Sequence, residues 1–476
     1  MNFENFTLTI DGRPVEGVGA IDVVNPATGK VFAKPPDCSA EQLDAAIAAA
    51  RRAQQAWAAV PLEERRSRVA ALGKIIAGNL DSLTRLLSQE TGKPLEAATG
   101  ELMGTAYWFE TAADLQIPVT VLEDTVERRT ETRHVPLGVV GAILPWNFPV
   151  LVFSFKVIPA LIAGNTIVCK PSPYTPLTTL ALGKMLADAL PAGVLNVVSG
   201  GDDLGRWMTE HKGIDKIGFT GSTATGKRIV MAAADTMKRL SLELGGNDAA
   251  IVLPDVDIKA VSEALFWGAF KNSGQVCVAA KRIYVHEDIF EPFVSAMAAY
   301  AKTVKMGDPT EQGTQLGPVQ NKMQYQRVKD LIADSRVHGH TMHTAEAPEG
   351  EGFFIPVTIV ENPPEWSRVV VEEAFGPVVP VLKFGDLDDV IARANNTDYG
   401  LAGSVWCQDE ALAEQIASRM QCGTVWINTI QDSLPVSPIA GHKQSGLGVE
   451  NGNPGLLEYT NTQTITRRKK PAAQLA

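Results

Sequence analysis

A cysteine delivered on a turn is a nucleophile in position. The run Phe270-Lys271-Asn272-Ser273-Gly274-Gln275-Val276-Cys277 places one where a helical pattern stops at Asn272 to Gly274. A thiolate attacks carbonyl carbon strongly and later leaves from a thioester, so this residue suits acyl chemistry. Alone, Cys277 also reads as a small buried apolar residue, the commoner use of a lone cysteine. Thirty-four residues earlier, Leu242-Glu243-Leu244-Gly245-Gly246 sets one carboxylate at a strand end among apolar neighbours, where desolvation would raise its pKa toward that of a general base. The competing reading is a solvated acid. In Pro145-Trp146-Asn147-Phe148-Pro149 two prolines stiffen the chain around an amide that could donate to a developing oxyanion, or merely cap its own turn.

The elements that must hold these residues follow from periodicity. Ser39 with Gln42 forms a capping-box pattern, and Leu43, Ile47, Ala50, Gln54 and Trp57 trace a mostly apolar helix face. From Gly138 onward, short apolar runs at Val139 to Leu144, Thr166 to Lys170, Val194 to Val198, Ile217 to Thr220 and Leu240 to Leu244 alternate with helical stretches. One of these stretches has Thr175 as expected N-cap and Pro176 at the first helical position. The alternation predicts a doubly wound parallel sheet. It resumes at Ala249 to Leu253 and recurs through Thr424 to Asn428, predicting a second α/β unit. Thr120 to Val135 and Glu458 to Arg467 are polar on both faces and read as strands that pair with another subunit.

Bulk composition narrows the partners. The 476 residues carry 43 Lys plus Arg against 54 Asp plus Glu, a net charge of −11, with 45% hydrophobic residues. That acidic balance opposes phosphate backbones, and no basic patch exceeds Arg467 to Lys470, so nucleic acid is not an expected partner. Five scattered cysteines fit a reducing compartment, and Met1 to Asn5 lacks the start of a signal peptide, giving a cytoplasmic expectation. Leu137 to Phe155 is nearly long and apolar enough to span a bilayer, but Pro145, Asn147 and Pro149 break its centre, so it reads as core and no membrane is expected.

Together the Cys277, Glu243 and Asn147 segments resemble the aldehyde dehydrogenase superfamily. The similarity continues, in family order, through Asn25-Pro26-Ala27-Thr28-Gly29, Lys170-Pro171-Ser172, Phe219-Thr220-Gly221-Ser222, Glu373-Ala374-Phe375-Gly376-Pro377, Trp426-Ile427-Asn428 and Gly441-His442-Lys443-Gln444-Ser445-Gly446. The resemblance implies a Rossmann-type cofactor domain (1–119 and 137–245), a second α/β catalytic domain (246–445) and a small β oligomerisation element (120–136 and 458–470), assembled as a homodimer or homotetramer. It implies that Cys277 attacks a small-molecule aldehyde, that Asn147 and the Cys277 N–H stabilise the oxyanion, and that Glu243 activates the water that hydrolyses the thioester. Lys156 matches a supporting family lysine, although a solvated helix lysine explains it nearly as well. The implied cofactor contacts are Trp146, Lys170, Ser222, Glu373 and Phe375, with Gly221 and Gly226 bringing backbone N–H groups to a pyrophosphate.

Departures from the family pattern bear on selectivity. Many NAD-preferring members place a glutamate where this chain has Pro173; Lys170 and Ser172 would then meet a 2′-phosphate without carboxylate repulsion, so NAD and NADP are both expected. Asn247-Asp248 and Ile439-Ala440 also differ from frequent family residues. Phe148, Phe153, Phe155, Val276, Val278 and Ile439 match positions around the family's tunnel and predict an apolar lining for an aliphatic or aromatic aldehyde. Three readings compete. Gly221 to Lys227 imitates a P-loop, but Arg228 stands where Mg²⁺ needs a hydroxyl. A coenzyme A-acylating relative would often lack Glu243, and a catalytically silent binding scaffold would not need Cys277, Glu243 and Asn147 intact. His338, His340 and His343 read as a polar surface loop, with no metal expected.

Overall fold

The computed structural model describes residues 5–469. Met1 to Glu4, the start of the expected cofactor domain, and Lys470, last of the basic patch and of the expected C-terminal element, lie outside the described residues.

Val139–Ile143, Thr166–Lys170, Leu195–Val197, Lys216–Thr220 and Arg239–Glu243 are buried along their length apart from the first residues of the last, the pattern of parallel strands covered on both faces. They pair in parallel in the spatial order Leu195–Val197, Thr166–Lys170, Val139–Ile143, Lys216–Thr220, Arg239–Glu243. The order reverses between Val139–Ile143 and Lys216–Thr220, so the loops leaving these two strands diverge and open a crevice at their carboxyl ends. Asn147 follows the first of them and Gly221 the second. Antiparallel strands close the sheet, with Leu8–Ile10 and Arg13–Val15 on one edge and Gly446–Leu447 on the other.

A second sheet is parallel through Thr358–Glu361, Val378–Phe384, Arg282–His286, Ala249–Val252, Ala402–Trp406 and Thr424–Ile427, with Thr341–Thr344 antiparallel at its edge. Its two faces pack separate apolar clusters, centred on residues such as Ile251 and Leu382 on one side and Phe266 and Phe293 on the other. The polar segments form a third, three-stranded sheet in which Arg128–Pro136 lies between Thr120–Asp124 and Thr460–Arg468.

Local signals hold where their partners are local. Ser39 accepts from the Gln42 N–H and donates its own N–H to the Gln42 side chain, capping Ala40–Ala59, whose Leu43, Ile47, Ala50 and Trp57 are buried. Leu137 to Phe155 resolves into a buried strand, a loop and a helix opening at Pro149, and no helix among the described residues is long and apolar enough to cross a membrane. Thr175 does not cap. The next helix runs Leu177–Leu186 with Pro176 at the N-cap, and the Glu90 carboxylate accepts from the Leu177 and Thr178 N–H groups at 2.7 and 2.9 Å. Thr175 instead donates its hydroxyl to the Trp146 carbonyl. The three histidines do not share one loop: His338 ends a helix, His340 meets Ser367, and His343 sits in the edge strand against Glu361.

Candidate active site

The Ile258–Phe270 helix stops in a backbone that few side chains tolerate: Asn272, Ser273 and Gly274 all have positive φ, at 53°, 55° and 74°. Left-handed non-glycine residues cost about 1–3 kcal/mol each and persist only when neighbours hold them. Here Ser273 donates to the Gly317 carbonyl at 2.7 Å, the Gln275 amide donates to Asn272 O at 2.8 Å, and the Gln275 side-chain oxygen accepts from the Gln320 N–H at 2.8 Å. Gly274 is required twice, since a Cβ there would also lie 2.2 Å from the Gly376 carbonyl. This braced turn presents Cys277 half-buried, whereas Cys38, Cys169 and Cys407 are buried.

Glu243 closes the last parallel strand of the first sheet and is 8% exposed. Burial pushes its carboxyl up to about 7, while Lys156 and the Cys277 thiol act in the opposite direction. Burial, with Glu243 second, also raises the Cys277 thiol well above its usual range, and Lys281 opposes that rise. The Cys277 thiol therefore faces a carboxyl raised to about 7 that is able to take its proton.

Asn147 is 7% exposed, and its Nδ2 donates to the Gln275 carbonyl at 2.9 Å, which fixes the amide beside the nucleophile's turn. The Asn147 main chain is held from behind. Its carbonyl accepts from the Lys93 ammonium, which is also ion-paired with Glu101, and Glu101 in turn accepts from the Val150 and Leu151 N–H groups at the start of Pro149–Ile162. Both members of the pair are buried, and neither was singled out from sequence.

Lys156 is not a solvated helix lysine. It is fully buried and ion-paired with Glu450, 294 residues away, and burial works against its charge while Glu243 supports it. Glu450 was likewise not legible from the sequence.

On the crevice side, Gly221 donates its N–H to the Glu243 carbonyl at 3.0 Å, and Ser222 caps Thr223–Ala233 by accepting from the Thr225 N–H at 3.3 Å. The Ser222 hydroxyl is therefore engaged by the helix itself. A Cβ on Gly226 would lie 2.6 Å from Leu244, and one on Gly245 would lie 2.5 Å from Glu373 Oε2. The Gly221 and Gly226 N–H groups, expected to face a pyrophosphate, are both spent within the protein, the second on the Ser222 carbonyl at 2.9 Å, because one continues the strand pairing and the other the helix; the N-terminus of Thr223–Ala233 and the Glu373 carboxylate are what fit a dinucleotide's pyrophosphate and ribose hydroxyls. Glu373 accepts from the Gly246 N–H at 3.1 Å, Phe375 is held at φ 47° with its carbonyl on Gln324, and the Phe375 ring meets Trp146 edge-on at 5.3 Å. Lys170 is buried at the end of its strand and lowered to about 8 by burial, with Asp202 and Asp37 as opposing charges; Ser172 accepts from the Tyr174 N–H.

The expected apolar lining divides. Phe155 meets Trp108 at 5.6 Å in a cleft whose walls include Leu115, Ile158 and Pro435 and no charged side chain, and which Cys277, Glu243 and Asn147 do not line. Phe148 lies under the Lys93 ammonium, and Val276 and Val278 flank Cys277. Ile439 pairs its backbone with Glu450. Phe153 faces away, fully buried in the core against Phe109. Trp108, absent from the sequence-derived lining, arrives from the preceding helix.

Comparison with known proteins places this geometry in context. The family model described as "Aldehyde dehydrogenase family" matches residues 14–465. Aldehyde dehydrogenase LUC3 of Fusarium sp is 38% identical over 469 residues, covering 98% of this chain and 99% of that protein. The NAD+ complex of aldehyde dehydrogenase from Bacillus cereus superposes with a TM-score of 0.95 at 36% identity, covering 98% of this chain and 97% of the other. An E. coli NADP-dependent enzyme does so with a TM-score of 0.95 at 34% identity, covering 98% and 99%.

Proposed function

The chain belongs to the aldehyde dehydrogenase family, and from that premise we propose that it oxidises an apolar aliphatic or aromatic aldehyde to the carboxylic acid with NAD or NADP, through a thioester on Cys277. The observation that carries this reading is the convergence of the Cys277 turn, the buried Glu243 carboxylate and the braced Asn147 amide. Glu243 takes the thiol proton as sulfur adds to the aldehyde carbon, forming a thiohemiacetal whose oxygen is stabilised by Asn147 Nδ2 and the Cys277 N–H. The nicotinamide ring, when bound, supplies the hydride acceptor. After losing the thiol's proton to solvent, Glu243 takes a proton from the water that attacks the thioester and passes it to the departing thiolate, freeing acid and thiol. Trp146, Phe375 and Glu373 would border the nicotinamide end, with Lys170 and Ser172 at the adenosine end. Val276 and Val278 flank Cys277 with apolar side chains, which supports an uncharged substrate. An aldehyde panel assayed with each cofactor tests the reading: apolar aldehydes should lead carboxylated semialdehydes in kcat/KM, and the reverse ranking would reject the substrate class.

Cofactor choice is a local charge question. Pro173 brings no carboxylate, but the charges of Asp202 and Asp37 act on the Lys170 ammonium that would meet a 2′-phosphate. Both dinucleotides should therefore be used, with NAD ahead. Like charges near 4 Å cost about 1–4 kcal/mol depending on the effective dielectric. Pro173→Glu should accordingly move the kcat/KM ratio a further decade or so toward NAD, and Asp202→Asn should move it toward NADP by about threefold to tenfold. Ratios that stay put in both variants would show that other residues decide.

The fold divides in this reading into a cofactor domain (1–119 and 137–245), a catalytic domain (246–445) and oligomerisation strands (120–136 and 458–470). Exposed Val121 and Leu122 on the edge strand support a homodimer or homotetramer. Truncation after Leu457 should strip Arg128–Pro136 of a partner and weaken association, read by light scattering; a full-length monomer at micromolar concentration would contradict it. Five free cysteines support a cytosolic location.

A further inference from the structure

Three segments of the site meet at a side chain for which the proposed chemistry has no use. Lys281 lies four residues after Cys277 and is 6% exposed. Its ammonium donates to the Cys277 carbonyl and lies 3.3 Å from Glu373 Oε1, the oxygen that also accepts the Gly246 N–H. Gly246 leaves room for this junction, because a Cβ there would stand 3.0 Å from the Cys277 carbonyl and 2.8 Å from Asp248 Oδ1. The nucleophile's turn, the loop after Glu243 and the Glu373 loop thus close around one cation. The charged and titratable groups facing it are Glu373, Asp248, Glu243 and Cys277; Arg282 acts on Asp248 and Lys156 on Glu243.

We propose that Lys281 is a positioning residue that ties the turn carrying Cys277 to the Glu373 carboxylate, so that one buried ammonium places both the nucleophile and the group that would hold the cofactor's ribose. The second half rests on the ribose reading of Glu373. The Cys277 carbonyl and the half-buried Glu373 carboxylate both lose a charge-assisted donor if Lys281 is removed. The thiol loses a positive charge that opposes the Glu243 and Asp248 carboxylates, which makes it harder to ionise.

The test uses two readouts that a purely structural role would not move. Alkylation of Cys277 by iodoacetamide is followed without cofactor from pH 6 to 10, with peptide mapping to separate it from the other four cysteines. NAD binding is measured by titration calorimetry. In Lys281→Met the alkylation profile should shift upward by about one pH unit, and the NAD Kd should rise about tenfold. Lys281→Arg should restore much of the alkylation profile, since it keeps the charge. If Lys281→Met does not fold, Lys281→Gln carries the same measurements. Turnover lost with neither readout moved would overturn the proposal. Glu373→Gln separates the two readings. If it weakens NAD binding and Lys281→Met does not, the proposal is overturned. If Glu373→Gln has no effect, the ribose reading fails by itself, and the alkylation profile decides for Lys281: a shift supports its role and no shift overturns it.

Discussion

Cys277→Ala should lower steady-state aldehyde oxidation by about four or more orders of magnitude while leaving NAD affinity within about twofold. In the proposed mechanism the change removes the sulfur that bonds the aldehyde carbon, and no other thiol is placed to substitute. Cys38, Cys169 and Cys407 are buried away from the turn, and Cys422 lines a separate cleft with Asn247, Asp248 and Lys443. The backbone strain at Asn272 to Gly274 is held by contacts that Cys277 does not make, so the variant should fold normally. Stopped-flow measurement of reduced cofactor is the direct check: the variant should show neither burst nor steady production. Near-normal turnover would reject covalent catalysis by this residue.

Glu243→Gln should separate the two halves of the reaction. Hydrolysis of the thioester loses its base, so steady turnover should fall about 10²–10⁴-fold. The burst of reduced cofactor should keep an amplitude near one per site, because hydride leaves before water attacks. Its rate should fall as well, since the buried thiol loses the nearest group that can accept its proton. The pH dependence has a definite sign. A carboxyl raised to about 7 is protonated, and useless as a base, below that pH, so wild-type turnover should climb as pH rises through about 7. The glutamine variant should lose that limb. A variant that binds NAD normally but gives no burst would overturn the division between acylation and deacylation, and an unchanged pH limb would place the titrating group elsewhere.

Much of this site was readable in one dimension because its signals are local. Cys277 sits on a turn announced by Asn272, Ser273 and Gly274; Glu243 closes an apolar run and precedes two glycines; the capping box at Ser39 and Gln42 spans three residues. Hydrophobic runs likewise predicted the first parallel sheet and a second α/β unit, since strands covered on two faces must be apolar throughout. The order of those strands, which creates the crevice, came only with the fold.

What the tertiary structure alone decided is how each local feature is held. Lys93 and Glu101 carry no signal in the sequence, yet Lys93, paired with Glu101, holds the Asn147 carbonyl from 54 residues away. Lys156 and Glu450 are separated by 294 residues, and the solvated reading of Lys156 failed because charge is expected in water unless a partner is known. Thr175 was given a cap that Glu90 supplies from another helix, and Lys170 was read beside Pro173 without the acids Asp37 and Asp202. In every case the deciding interaction is a long charged side chain reaching across the core to a backbone group or opposite charge. Spacing along the chain carries no trace of such a contact, because periodicity records which face an element buries and not which distant group that face will meet.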